Sequence, residues 1–224
     1  MLITRELYPL VFVDVALFSV VDDRLRVLLV RRAEEPLAGK WALPGGILKP
    51  DEDTNLLSAA HRVMRGKLGI DLPHLEEVCT ASGPKRDARG WSISVLYLAL
   101  LPMDRVQAAI GKKITALQWA DPLVLQPELA FDHGRLLGRA MERLQQKVAR
   151  HALPLHMLPG KFTLTQLQRV CEVILGRDLD KSVFRRRLKE VHSDDLVEVV
   201  GEKQGGVQRP AQLWRAADGF QFLG

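Results

Sequence analysis

The sequence predicts an α+β fold in two parts, and three observations support this prediction. β-branched apolar runs and amphipathic segments with helical spacing alternate over the first two thirds of the chain. Residues 151–160 then interrupt this periodicity with two prolines and a glycine. Beyond them, two short helical patterns precede two strand patterns. We therefore predict a larger domain over residues 1–150, a linker over 151–160 and a small domain over 161–224.

The larger domain is predicted to begin with a β-hairpin. Residues 11–21 and 25–30 are rich in β-branched apolar side chains, and the polar stretch 22–24 separates them. Residues 55–68 carry apolar side chains at helical spacing, and Gly69 fits the left-handed position that ends a helix. The same patterns predict a strand over 91–101, a strand over 114–119 and a basic amphipathic helix over 132–150 with Asp132 as its N-cap.

Composition and charge exclude several classes of protein. Of the 224 residues, 47% are hydrophobic and 26% are charged, which is typical of a globular chain rather than a disordered or fibrous one. The net charge of +5 permits binding to a polyanion without establishing it. Cys79 and Cys171 lie far apart and form no motif, so we expect neither a disulfide framework nor a zinc site. The longest apolar run, residues 11–21, contains Asp14 and is too short to span a bilayer, which favours a cytoplasmic protein without membrane contact.

The small domain has the pattern of a winged helix. Thr163 and Gln166 form a predicted capping box, and Gly176 and Asp180 bracket a turn between two helices. The predicted elements are a helix ending at residue 175, a helix over 181–191, and strands over 196–200 and 212–216 that turn at Gly205 and Gly206. In DNA-binding domains built in this order, the second helix enters the major groove.

The second of these helices has an apolar face and a basic face. At about 100° per residue, Phe184, Leu188 and Val191 share one side, which we expect to pack on the preceding helix. The candidate DNA-binding residues lie on the other side, on its flank and in the hairpin tip: Lys181, Ser182, Arg185, Arg186, Arg187, Lys189 and Arg209. Arginine can read guanine edges, while serine and lysine suit phosphates. A solvated basic face without a partner is the alternative for an isolated helix.

One segment of the larger domain resembles a known catalytic motif. It contains Leu43-Pro-Gly-Gly46, then Glu52, Arg62 and Gly69-Ile70. This frame resembles the Nudix box, a loop–helix–loop whose glycines allow a diphosphate close to the backbone and whose helix presents glutamates to magnesium. Glu52 and Arg62 are separated by two residues more than the family spacing. The resemblance implies an α/β/α sandwich with a mixed sheet over the first two thirds of the chain.

The catalytic part of this box is altered. The three glutamates that follow the arginine in the family are replaced here by Val63, Gly66 and Lys67. Magnesium needs anionic oxygen ligands, and diphosphate hydrolysis needs such ions to neutralise charge and to activate water. We therefore predict no metal site, no required cofactor and no catalytic residues, although the fold and its cleft are kept.

A cleft of this kind suits a nucleoside diphosphate. Arg31 and Arg32 end a strand, and guanidinium groups bind diphosphate oxygens well, although two ordinary surface charges are the alternative. Trp41 could stack on a base or be a core aromatic. Residues 86–91 place charged side chains and a glycine next to a tryptophan, which suits ligand binding. A charged hairpin turn is the alternative. The residues that we expect to bind the ligand are Arg31, Arg32, Trp41, Gly45, Gly46, Arg86, Asp87, Arg89 and Trp91.

Three further stretches make the resemblance narrower. They are Arg86-Asp-Ala-Arg-Gly-Trp91, Ala130-Phe-Asp-His133 and Phe184-Arg-Arg-Arg-Leu188, the last following a Phe162-Thr-Leu helix start. These stretches are similar to the NrtR group of Nudix-related regulators of NAD biosynthesis and salvage genes. The resemblance implies a repressor that binds double-stranded operator DNA as a homodimer and senses ADP-ribose or a related NAD metabolite as a small nucleotide effector. Within residues 130–133 we expect Asp132 only to cap a helix, with His133 in the first turn.

Two other functions remain open from the sequence. The first is a magnesium-dependent hydrolase of ADP-ribose or another nucleoside diphosphate with an accessory nucleic-acid-binding domain. The second is a constitutive DNA- or RNA-binding protein whose Nudix-like part is vestigial. The hydrolase predicts turnover with magnesium, whereas the constitutive protein predicts no specific nucleotide binding.

Overall fold

The first two strands confirm the predicted hairpin. The computed structural model describes residues 8–105, 113–124, 129–204 and 211–222. In it, β1 (Leu10–Val21) and β2 (Arg24–Arg32) pair in antiparallel fashion. Asp22 and Asp23 have φ values of 48° and 56°, which give a turn whose twist matches that of the paired strands.

Within the described residues, a seven-stranded mixed sheet forms the centre of the larger part. The other strands are β3 (Trp41–Ala42), β4 (Gly45–Ile47), β5 (Leu75–Asp87), β6 (Gly90–Leu100) and β7 (Ile114–Ala120). They follow the order β3-β2-β1-β6-β5, while β4 also pairs with β1 and β7 with β2. β1 and β6 run parallel, and the other pairs are antiparallel. Because Asp14 of β1 lies opposite Gly45, the glycine loop sits beside the central strand.

Two helices, α1 (Leu56–Leu68) and α2 (His133–Ala149), cover opposite faces of this sheet. Val15 of β1 belongs to the buried cluster that includes α1, and Ala16 belongs to the cluster that includes α2. Successive side chains of a strand point to opposite faces, so one apolar strand supplies both layers. The α/β/α sandwich implied by the sequence is confirmed.

The smaller part is a helix-turn-helix closed by a small sheet, as predicted. Its elements are β8 (Phe162–Thr163), α3 (Leu164–Leu175), α4 (Lys181–Val191), β9 (Leu196–Gln204) and β10 (Ala211–Ala216). The strands follow the order β8-β10-β9. The predicted turn at Gly205 and Gly206 lies outside the described residues.

The ends of α1, α3 and α4 confirm the predicted capping signals. Gly69 and Gly176 end α1 and α3 in the left-handed conformation, with φ of 66° and 65°. Thr163 and Gln166 exchange side-chain hydrogen bonds with each other's backbone N–H, at 3.2 and 2.7 Å. Asp180 accepts a 2.8 Å hydrogen bond from the backbone N–H three residues later. None of the helices in the described ranges is long and apolar enough to cross a membrane.

Val191 does not pack on the preceding helix, contrary to the prediction. Phe184 and Leu188 are buried as expected, but Val191 is 60% exposed. It is the last residue of α4, and the chain leaves the helix at His192, which is buried in its place. The apolar face of α4 is therefore shorter than helical periodicity alone suggests.

Residues 151–160 form a packed segment of the core. The segment contains a 3₁₀ turn, Leu155–Met157, and Leu153 and Leu158 are also buried. These side chains lie in the same apolar cluster as residues of α2 and α3. Phe222, near the end of the chain, is fully buried in that cluster. One continuous core therefore joins the larger and smaller parts.

Candidate ligand-binding cleft and basic helix

A cavity of about 480 Å³ opens where β1, β2, α1 and the start of α2 meet. The glycine loop at β4 and the end of β5 complete its lining. It is lined by these residues expected to bind ligand: Arg32, Gly45, Gly46, Arg86, Asp87 and Arg89. The fold thus brings together residues from three strands and the turn between β5 and β6 that were predicted to bind one ligand.

A buried polar cluster of Asp14 on β1, Ser94 on β6 and His133 on α2 lies at the cavity. Asp14 is 5% exposed and accepts a 2.5 Å hydrogen bond from the Ser94 hydroxyl. His133 Nε2 lies 3.6 Å from the Asp14 carboxylate, and His133 Nδ1 accepts a hydrogen bond from the Leu43 backbone N–H at 3.0 Å. A side chain at Gly45 would place its Cβ 2.0 Å from Asp14 Oδ1. The same Cβ would lie 2.8 Å from the Val13 carbonyl oxygen, so the backbone of β1 as well as Asp14 restricts this position to glycine.

Helix α1 presents Val63, Gly66 and Lys67 to the cavity. Lys67 Nζ donates a 2.5 Å hydrogen bond to the carbonyl oxygen of Gly45. Burial lowers the pKa of Lys67, and the negative charge of Asp14 offsets part of this effect. A lysine ammonium thus lies beside the glycine loop.

These residues do not fit a divalent cation. In the part of the chain that the structure describes, no three His, Cys, Asp or Glu side chains converge as a metal site requires. Val63 fills the space beside Gly46, since a Cβ there would lie 2.7 Å from a Val63 methyl group. The Lys67 ammonium would repel a second cation. The cavity can attract an anion, but its donor set does not suit magnesium.

The arginine of the box, Arg62, holds the loop before α1 in place. Its Nε and Nη2 each donate a 2.6 Å hydrogen bond to Asp53, and Nη2 also reaches the Ile47 carbonyl at 3.0 Å. The hydrogen bond from Arg62 keeps the pKa of Asp53 below its usual range. Glu52 pairs with Lys49 at 2.8 Å on the cavity rim. These contacts fix the loop between β4 and α1 against the helix independently of the residues at positions 63, 66 and 67.

Asp132 does not cap α2 with its side chain, so that prediction was wrong. It occupies the N-cap position, but its carboxylate accepts hydrogen bonds from Arg86 at 2.9 and 2.7 Å and from Arg135 at 2.9 Å. Charge-assisted bonds of this kind are stronger than a bond to a neutral N–H. Burial acts to raise the pKa of Asp132, but these hydrogen bonds outweigh it and lower the pKa. His133 also does more than begin a helix, because it lines the cavity.

Two more arginines form the cavity wall. The Arg32 guanidinium lies 4.8 Å from the centroid of the Phe131 ring and donates to the Pro36 carbonyl at 2.9 Å. Arg89 donates to Asp87 at 2.9 and 2.6 Å. Burial acts to raise the pKa of Asp87, but the hydrogen bonds from Arg89 outweigh it and lower the pKa. A guanidinium has about five N–H donors, so these contacts position each group without using all of its donors.

Three residues expected to bind the ligand lie away from this cavity. Arg31 is exposed and donates to the Gly39 carbonyl at 3.0 Å, because neighbouring side chains of β2 point to opposite faces and Arg32 takes the cavity side. Trp41 is partly buried against the core, which was its alternative role. Trp91 is 48% exposed on β6. Neither tryptophan lines the cavity.

Sequence reasoning also missed residues that line the cavity. Phe12 and Asp14 lie on the same face of β1. The carboxylate of Asp14 inside an apolar run was the available sign that this face meets a polar site. Lys113 reaches the cavity from a distant part of the chain and carries no local signal, whereas Phe131 lies in the Ala130–His133 stretch, which was used only as a sign of family resemblance. Lys67 was recognised as a lost glutamate, but its contact with the glycine loop requires the folded helix.

The basic face of α4 is exposed over most of its length. Exposed residues among the DNA-binding candidates are Lys181, Ser182, Arg186, Arg187 and Lys189. Arg186 contacts only Glu190 at 3.9 Å among the ion pairs of the described residues. Such a surface can meet a phosphate backbone and base edges without reorganising the core.

Two arginines of α4 have partners within the chain. Arg185 is partly buried and donates to the Thr165 hydroxyl at 3.2 Å, and burial lowers its pKa. Arg187 lies 2.9 Å from Nδ1 of His151. Arg209, the candidate in the hairpin tip, lies outside the described residues.

A glycine loop and helix on a mixed-sheet sandwich, joined to a helix-turn-helix with a hairpin, define a Nudix fold linked to a winged helix. Two family models match accordingly, the NUDIX domain over residues 11–139 and the NrtR DNA-binding winged helix domain over residues 154–216. The chain belongs to the Nudix family and, within it, to the NrtR group.

Known relatives agree with this assignment. The ADPR responsive transcriptional repressor NtrR of Acinetobacter baylyi is 43% identical over 210 residues, which are 93% of this chain and 82% of that protein. The crystal structure of Shewanella oneidensis NrtR complexed with a 27mer DNA superposes with a TM-score of 0.80 at 38% identity, covering 92% of this chain and 93% of that one. The NUDIX domain of the same protein complexed with ADP ribose gives a TM-score of 0.57 at 36% identity, covering 61% of this chain and 89% of that one.

Proposed function

We propose that this chain is a transcriptional repressor of NAD biosynthesis or salvage genes that responds to ADP-ribose or a related NAD metabolite. The observation that carries the proposal is a cavity lined by cationic side chains on a Nudix frame, in one chain with an exposed basic helix of a winged-helix domain. Relatives with both parts are a repressor named for its response to ADP-ribose and a protein crystallised with DNA.

The cavity has the size and charge for a nucleoside diphosphate. Its volume of about 480 Å³ lies within the range of small-molecule sites. Arg32, Lys67 and Lys113 line the same space and supply positive charge for diphosphate oxygens. We assign ligand binding to these cations and to the expected residues that line the cavity: Gly45, Gly46, Arg86, Asp87 and Arg89.

We propose that the ligand is bound without being hydrolysed. The altered helix face supports this, because Gly66 offers no oxygen ligand and Lys67 brings a positive charge beside the loop. A hydrolase would need metal ions to activate water at this position. Ligand binding then acts only through a difference in affinity between states of the protein that bind DNA well and poorly.

We propose that DNA is bound through α4 in a homodimer. Paired readers of this class contact half-sites about one helical turn apart, roughly 34 Å. The exposed side chains Arg186 and Lys189 suit base edges and phosphates. Arg209 remains a proposed contact of the hairpin tip.

The experiment measures binding of a native upstream DNA duplex with and without ADP-ribose. We expect ADP-ribose to weaken DNA binding of the unaltered chain, and Arg186→Ala to weaken it by about tenfold or more without ligand. Arg139→Ala is the control, since Arg139 is an exposed arginine of α2 with a 62% exposed side chain. Steady hydrolysis of ADP-ribose with magnesium would identify a hydrolase instead, and DNA binding indifferent to nucleotide would identify a constitutive binder.

A further inference from the structure

Lys67 occupies an unusual position for a lysine. It projects from the last turn of α1 into the cavity, and its ammonium reaches the Gly45 carbonyl of the facing loop. Its neighbour Gly66 leaves open space, since nothing lies within 4 Å of a Cβ built there. Of the two neighbouring positions 66 and 67, only Lys67 therefore presents a side chain to the cavity, and that side chain is cationic.

Among the ion pairs of the described residues, no carboxylate is paired with Lys67. Burial is the main cause that lowers the pKa of Lys67; Asp14 and Glu34 act in the opposite direction, and Arg32 and Lys113 lower it further. The Glu34 carboxylate is already paired with Lys113 at 2.9 Å, and Asp14 accepts a hydrogen bond from Ser94. An ammonium has about three donors, and among the described contacts Gly45 accepts one of them.

We propose that the Lys67 ammonium takes the place of a divalent cation in binding the ligand's diphosphate, so that ligand binding at this site is independent of metal. This inference rests on the proposed function, because it concerns the same nucleotide site. A tethered ammonium supplies charge and hydrogen bonds to phosphate oxygens. It offers no open coordination position for a water molecule, so the site binds a diphosphate without activating a nucleophile. The Gly45 carbonyl holds Nζ at the loop that the diphosphate would approach.

The test measures ADP-ribose affinity of the full chain by titration calorimetry, in EDTA and in millimolar magnesium. For the unaltered chain we expect the same Kd in both buffers, within twofold. Lys67→Met should weaken binding at least tenfold in both buffers, whereas Lys67→Arg should retain most of it. Lys67→Glu should weaken binding at least as much as Lys67→Met in both buffers, because it places a carboxylate against the diphosphate while Val63 and Gly66 still supply no metal ligand. Lys40→Met is the matched control, since Lys40 is exposed and does not line the cavity.

Failure of this inference is distinguishable from failure of the proposed function. Binding by the unaltered chain only in magnesium, or undiminished binding by Lys67→Met, would overturn the role of Lys67 and leave the effector intact. Absence of binding in both buffers would overturn the effector and the inference together. Unfolding curves of each variant show whether a loss of binding reflects loss of the fold. If Lys67→Met is unfolded, the polar neutral variant Lys67→Gln replaces it, and undiminished binding by that variant would overturn the role of Lys67.

Discussion

Replacing Lys147 by methionine is expected to destabilise the folded chain by about 2–4 kcal/mol. Lys147 is 3% exposed, and its ammonium donates to the Glu76 carboxylate and to the Phe222 carbonyl oxygen. The same ammonium lies 4.3 Å from the centroid of the Phe222 ring. Methionine keeps much of the apolar stem but leaves both acceptors without this donor.

The size of the expected destabilisation depends on the partners that Glu76 keeps after Lys147 is replaced. Removing one member of a buried ion pair costs about 3–5 kcal/mol, because the other charge is left uncompensated. Arg143 still pairs with Glu76 at 2.8 Å and reduces this cost. The double variant Lys147→Met with Glu76→Gln should recover part of the loss, because it removes the stranded charge as well.

Urea unfolding at pH 7, followed by circular dichroism, measures the free energy of unfolding for each variant. Arg139→Met is the control, because the Arg139–Glu142 pair has side chains 62% and 59% exposed and should change stability by less than about 0.5 kcal/mol. A loss below about 1 kcal/mol for Lys147→Met would refute the argument, since the buried ion pair would then contribute no more than an exposed one.

Two further perturbations test other parts of the structure. Gly45→Ala should destabilise the chain by about 1–3 kcal/mol, because its Cβ clashes with Asp14. Gly66→Ala has open space around it and should stabilise α1 by about 0.5–1 kcal/mol. Equal shifts in melting temperature for the two variants would contradict this difference between the two glycines. Burial acts to raise the pKa of Glu76, but His74, Lys147 and Arg143 together lower it to about 2. The unfolded chain therefore binds a proton that the folded chain does not, and stability should fall by about 2 kcal/mol as the pH decreases from about 4.5 to 2. Glu76→Gln should remove this part of the acid dependence, and an unchanged profile would count against it.

Local patterns predicted many elements of this fold because their causes are local, although the long strand β5 was not predicted. The hairpin, the capping box at Thr163 and the glycine that ends α1 all depend on neighbouring residues. The buried side of α4 was predicted too long, because periodicity shows which residues share a face but not where the neighbouring core ends. Val191 shares a helix face with Phe184 and Leu188, yet it is 60% exposed.

The sequence predicted some of the residues that line the cleft, and the expectations that the structure does not support have physical reasons. Arg86 was expected from its segment, but its partner Asp132 is 46 residues away, so the ion pair could only be seen in the fold. Asp132 was assigned a capping role because local rules favour it, and a stronger charged partner displaced that role. Trp41 and Trp91 were expected in the cleft for their chemistry, whereas strand geometry decides which face a side chain takes.

The burial of residues 151–160 constrains how a signal could pass between the two parts. A free hinge would swing only if Leu153, Leu155 and Leu158 left the shared core, which exposes apolar surface at about 25 cal/mol per Å². Shear, the sliding of packed elements by small distances, keeps that surface covered. We therefore expect coupling between the cavity and α4 to involve small displacements of α2 against α3. The apolar side chains of residues 151–160 would stay packed in the shared core during this movement.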